Sequence, residues 1–156
     1  MKYIASVVIC IIAIITMTSC KSVPKEMGVN EYSEEVLRCF DERDADGLKA
    51  LFCEKIQNTH NLDKEIAEAM EFFEGKVVSY DDNFNGRSGQ SVDDGEVTEK
   101  HFVPIIDDIT TDSGVTYKIT FYYYKVNTKD ENRVGINNIV IRNKDTDTRY
   151  IIGDSD

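Results

Sequence analysis

Four side chains suited to proton transfer, His101, Asp107, Tyr117 and Tyr123, fall in segments where apolar and polar residues alternate. General acid–base chemistry needs a titratable group within hydrogen-bond reach of the proton it moves. Strands carrying these residues side by side would line one concave sheet face. A His–Asp or Tyr–Asp pair there would move protons or hold a ligand. The same letters also suit plain sheet residues with satisfied polar tips. The stretch "FYYYK" (121–125) adds Tyr122 and Tyr124 on the face opposite Phe121 and Tyr123. Two tyrosines spaced i, i+2 offer apolar rings with polar tips, a combination favoured at interaction surfaces.

Other chemistries find less support. The segment from Asp81 places Asp81, Asn83, Asn85 and Gly86 at positions 1, 3, 5 and 6 of a calcium loop. Position 12, where a bidentate Glu closes such a site, is Val92, and a strand rather than a helix precedes the loop. A polar connection between strands explains these residues, and no metal or other cofactor is expected. The two histidines sit in no H-E-x-x-H and the cysteines in no C-x-x-C. "GRSGQ" (86–90) lacks the last glycine of G-x-S-x-G, and no P-loop or G-x-G-x-x-G is present. Cys39 and Cys53 fall on helices joined by a short turn. They either pair as a disulfide, which requires Cα atoms within about 7 Å, or stay as two small apolar residues.

These residues must be carried by two kinds of element. Tyr32, Val36, Leu37 and Phe40 recur at helical spacing, with Glu31, Glu34 and Glu35 in the first turn. Asp44 is the expected N-cap of a second helix, "ADGLKALFCEK", burying Leu48, Leu51 and Phe52. A third starts near Leu62, carries Ile66, Met70 and Phe73 on one face, and stops at Gly75. Beyond Gly75 the period becomes two, and strands are expected at 76–80, 97–110, 115–126, 134–142 and 149–153. Pro104 breaks the second of these or puts it at an edge. The fold class is therefore α+β, with three N-terminal helices packed on an antiparallel sheet of about five strands.

Before this unit, Ile4–Met17 is an apolar run of fourteen residues behind Lys2, short of the roughly 20 that a membrane-spanning helix needs. Met17-Thr18-Ser19-Cys20 resembles the lipobox of bacterial lipoproteins. That resemblance implies a signal peptide over 1–19 cleaved before Cys20, and a diacylglyceryl group, palmitate-like chains, on the Cys20 thiol. Residues 20–30, with Pro24 and Gly28, would be the lipidated tether and 31–153 one α+β domain. Several acyl chains suffice for stable anchoring where one is marginal. The expected location is the extracytoplasmic face of the cell membrane. A net charge of −11 argues against nucleic acid and against lying flat on anionic lipid.

The stretches "DADGLKALF", "FFEGKVVSY", "TDSGVTYKITFYYY" and "VGINNI" are similar to those of a bacterial lipoprotein family with a domain of unknown function. The family resembles the nuclear transport factor two-like, or cystatin-like, cone fold. This resemblance implies a curved sheet around helices with a cavity between them. It implies no activity, because the fold hosts enzymes and binding modules alike. The expectation is a non-enzymatic module binding a small ligand or a surface protein. The alternative is a cavity enzyme of the isomerase or dehydratase type.

Overall fold

The computed structural model describes residues 27–154. The expected signal peptide, Cys20 and most of the tether lie outside the described residues. Among the described residues, no helix is long and apolar enough to cross a membrane.

Helix α1 (Val29–Glu42) starts two residues before the expected domain boundary, because the Gly28 N–H donates to Glu31 Oε2 at 2.9 Å and caps it. Asp44 caps α2 (Ala45–Leu51), as its sequence position predicts, by accepting from the Gly47 N–H at 2.9 Å. A Cβ at Gly47 would lie 2.3 Å from that carboxylate, so only glycine leaves room for the cap. The single second helix expected from sequence is in fact two, α2 and α3 (Glu54–Thr59). Between them Phe52 and Cys53 turn extended, and the Cys53 N–H donates to the Ile136 carbonyl at 2.9 Å. Pairing with a strand that lies 83 residues away along the chain overrides local helix propensity here. Helix α4 (Leu62–Phe72), capped by Asn61, completes a set of four where three are expected.

The sheet is antiparallel and six-stranded: β1 (Val77–Asp81), β2 (Gly86–Asp93), β3 (Glu96–Thr111), β4 (Thr116–Asn127), β5 (Gly135–Asn143) and β6 (Arg149–Gly153). Its order is β1-β3-β4-β5-β6, with β2 also paired to β3. β1 and β2 share one side of β3, β2 along 96–104 and β1 along 107–111. Pro104 does not break β3. It sits opposite Gly86, where the pairing with β2 ends. β2 is the strand that the sequence reading takes for a polar connection. It is exposed along nearly its whole length, so it shows no apolar alternation to betray it.

One face of the sheet takes the helices. Tyr117, Ile119, Phe121 and Tyr123 of β4 join Ile136, Ile139 and Ile141 of β5 and Ile152 of β6 against Val36, Phe40, Leu48, Ile56, Ile66 and Phe73. Each such side chain withdrawn from water contributes about 1.5–3 kcal/mol before entropy is counted. The architecture is thus α+β, with the sheet more extensive than the helical layer.

Candidate functional site

The opposite sheet face carries a cavity of about 240 Å³ lined by Tyr122, Tyr124, Arg133, Asn137, Asn138 and Asp154. A register shift between β4 and β5 creates it. Tyr122 faces Asn138 while Tyr123 faces Ile136, so Asn137 is an extra residue in the ladder. This bulge places two asparagines in succession beside the tyrosines. The Asn137 amide nitrogen donates to the carbonyls of Arg133, at 2.8 Å, and Gly135, at 3.0 Å. Its Oδ1 is buried with no hydrogen-bond partner.

Strand β6 delivers Asp154. Gly153 has a positive φ of 83°, and a Cβ there would lie 2.4 Å from the Asn137 carbonyl oxygen. Glycine thus lets the chain lie against the bulge, where the Asp154 N–H donates to that same carbonyl at 3.2 Å. The Asp154 carboxylate is held from two sides, by Arg133 Nη2 at 3.4 Å and His60 Nε2 at 3.3 Å. Arg133 also approaches Asp130 at 3.7 Å, and His60 Nδ1 meets Glu65 at 3.1 Å. Burial works against a charge on His60, but the hydrogen bonds it donates to Glu65 and Asp154 outweigh it and raise its pKa. Burial, with a hydrogen bond to Tyr124, drives the Tyr122 hydroxyl well above the ordinary phenol range. The first effect favours the charged imidazole between its two carboxylates, the second a neutral phenol.

The residues singled out from sequence do not gather in one pocket. Tyr117 and Tyr123 face the helices and are core: Tyr117 packs on Phe73 with ring centroids 4.6 Å apart, and Tyr123 on Tyr32 at 4.3 Å. His101 and Asp107 lie on the other face, apart from each other. His101 stacks on Tyr122 at 5.0 Å and meets Tyr124 edge-on at 5.9 Å, with Glu99 at 3.1 Å from its Nδ1. Gly89 of β2 lies beneath this ring, and a Cβ there would approach it to 2.4 Å. Asp107 binds Lys144 at 2.9 Å and Lys118 at 3.2 Å. Burial opposes its charge, yet Lys144, the Asp108 N–H and Lys118 together hold its pKa at about 2. A carboxylate locked in this way is a poor proton shuttle at neutral pH.

Tyr122 and Tyr124 do share the outer face, with ring centroids 5.0 Å apart. Cys39 and Cys53 are free thiols buried in the core rather than a disulfide. Burial pushes the Cys39 thiol up to about 12, which leaves it unreactive. In the segment with calcium-loop spacing, Asp81 Oδ1 accepts from both the backbone and side-chain nitrogens of Asn83 at 2.9 Å, a local turn. Among the described residues, no cluster of three or more His, Cys, Asp or Glu could hold a metal.

Arg133, Asn137, Asn138, Asp154 and His60 are the site residues that sequence reasoning misses. One signal was available: "GINNIV" breaks strict alternation with two adjacent polar residues, the mark of a bulge. The others lie in a turn, at a chain end and at a helix cap, where periodicity carries no information.

A family model described as "Domain of unknown function (DUF5104)" matches residues 35–147, from α1 to the turn before β6. Five of the six residues lining the cavity fall inside that span. No curated protein matches the chain.

Proposed function

The chain belongs to the DUF5104 family, and from the geometry of its outer sheet face we propose a lipid-anchored binding module rather than an enzyme. The observation that carries the binding half is the state of the cavity's polar groups. Asp154 is paired by both Arg133 and His60, and the tyrosine hydroxyl beside it is held protonated. Such groups fix the orientation of a ligand, and the tyrosine hydroxyl keeps its proton rather than exchanging it. The isomerase or dehydratase alternative would use an acid–base pair at the cavity floor. Asp107 and His101 do not form one, and the imidazole of the His60–Asp154 pair stands outside the residues that line the cavity.

The anchoring half rests on sequence: the short apolar run and Met17-Thr18-Ser19-Cys20 support export, cleavage and lipid on Cys20. Helices covering one face of an antiparallel sheet are compatible with the nuclear transport factor two-like cone, which is part of this proposal. Under it, the Tyr122/Tyr124 face points away from the core and is available to a small ligand or a surface protein.

Two measurements test the reading. Grown with a palmitate analogue, bacteria expressing the full chain should label it, and Cys20→Ser should abolish the label. An unlabelled wild type removes the anchor. Native mass spectrometry of the detergent-solubilised full chain should find a bound small molecule or partner that is lost in Tyr124→Leu. Turnover of a candidate substrate, abolished by Asp154→Asn, would favour the enzyme instead.

A further inference from the structure

Asn137 is only 3% exposed, and its Oδ1 is the one buried side-chain polar atom among the described residues without a hydrogen-bond partner. Its orientation is fixed, because the other end of the amide faces two carbonyls and must be the nitrogen. Buried acceptors are almost always satisfied. With less than 1 Å² of its surface open, this one calls for a donor no larger than water at the bulge behind the cavity wall. Next to it Asn138, which makes no side-chain hydrogen bond among the described residues, offers a second amide. Arg133 and Asp154 stand at the same cavity with opposite charges turned on each other. They leave donors and acceptors available without presenting a net charge. The remaining wall is aromatic.

A ligand that fits these features is neutral, ringed with hydroxyls or amides, and apolar on one face. We propose that the cavity binds a neutral saccharide. One pyranose ring lies against Tyr122 and Tyr124, donates a hydroxyl to the Asp154 carboxylate, and accepts from Asn138 and Arg133. The cavity of about 240 Å³ lies below the roughly 300–1,000 Å³ of drug-sized ligand pockets, a size for one ring or the end of a glycan. Nucleotides fit less well, since their phosphates meet a chain of net charge −11. A charged peptide terminus would have to break the Arg133–Asp154 pair. This identification rests on the binding reading above and specifies its ligand.

The experiment is saturation-transfer NMR with titration on the full chain, solubilised in a detergent without a sugar headgroup. The probes are glucose, galactose, mannose and N-acetylglucosamine, with glucuronate and glucosamine as charged comparators. At least one neutral sugar should receive transfer at its ring protons, and Tyr124→Leu should abolish it. Asn138→Ala should weaken binding about tenfold, the loss of roughly one hydrogen bond. The charged comparators should bind at least about tenfold more weakly, since each must compete with a pair already formed. Asn137→Ala removes two hydrogen bonds of the bulge and tests folding as much as binding, so Asn138→Ala carries the comparison. The proposal is overturned if no neutral sugar shows transfer, if Tyr124→Leu and Asn138→Ala bind like wild type, or if the charged sugars bind best. A non-saccharide molecule found by native mass spectrometry and lost in Tyr124→Leu would overturn the saccharide and leave the binding module standing. No sugar and no other ligand would overturn both.

Discussion

Tyr117 has no solvent exposure, yet its hydroxyl is doubly employed. It donates to the Phe72 carbonyl and accepts from the Glu74 N–H, both at 3.0 Å, and so closes the end of α4, where helical carbonyls run out of partners. Burial pushes its pKa up, which keeps the donor proton in place. Period-two reasoning puts Tyr117 and Tyr123 on one face correctly but is silent on what covers that face, which is why an expected ligand pocket is helix-packed core. The site residues were less legible still, because what distinguishes Asn137 is an unmade bond and not its letter. Tyr117→Phe should destabilise the fold by about 1 kcal/mol, leaving two part-buried backbone groups without this partner in an otherwise intact core. Urea unfolding should show a lower midpoint at unchanged slope. An unshifted midpoint would mean that water or another group already serves Phe72 and Glu74.

Among the elements, the break between α2 and α3 is the feature that local sequence conceals. "ADGLKALFCEK" reads as one amphipathic helix, and the apolar positions it predicts are indeed buried: Leu48, Phe52 and Cys53. Only the strand partner, far along the chain, reveals that Phe52 and Cys53 reach Ile136 by leaving the helix. β2 hides for the converse reason, since a strand with both faces wet has nothing to alternate. Fold class, the outward placement of Tyr122 and Tyr124, and the Asp44 cap were legible because each rests on short-range periodicity or one capping contact. Gly135 holds the α2–α3 junction to the sheet. Its φ is +120°, and a Cβ would lie 3.1 Å from the backbone of Cys53. Gly135→Ala combines a strained backbone with an overpacked contact and should cost about 2 kcal/mol or more. Hydrogen exchange should show amide protection lost first at Cys53 and the start of β5. Uniform loss across all helices instead would show that the junction is not a separable unit.

Across the whole molecule, His60 joins parts that share no backbone–backbone hydrogen bond among the described residues. From the C-terminal cap of α3 it meets Glu65 of α4 and Asp154 beyond β6, while Arg133 takes the other Asp154 oxygen and Glu65 also accepts the Gly153 N–H at 2.9 Å. The helical layer, the last strand and the tyrosine-lined cavity therefore meet at one imidazole. Its pKa is raised in the fold above the unfolded value of about 6.5, so the charged link contributes fully below that pH. The contribution is lost as pH rises through the higher folded value. Arg133 still holds the other Asp154 oxygen when His60 gives up its proton, so the cavity wall persists while the tie to α4 weakens. The difference in melting temperature between wild type and His60→Gln should accordingly be larger near about pH 6 than near about pH 9. A difference that is constant across that window would reduce His60 to a packing residue. One that grows toward alkaline pH would reverse the sign of the linkage and place the neutral imidazole, not the cation, in the native network.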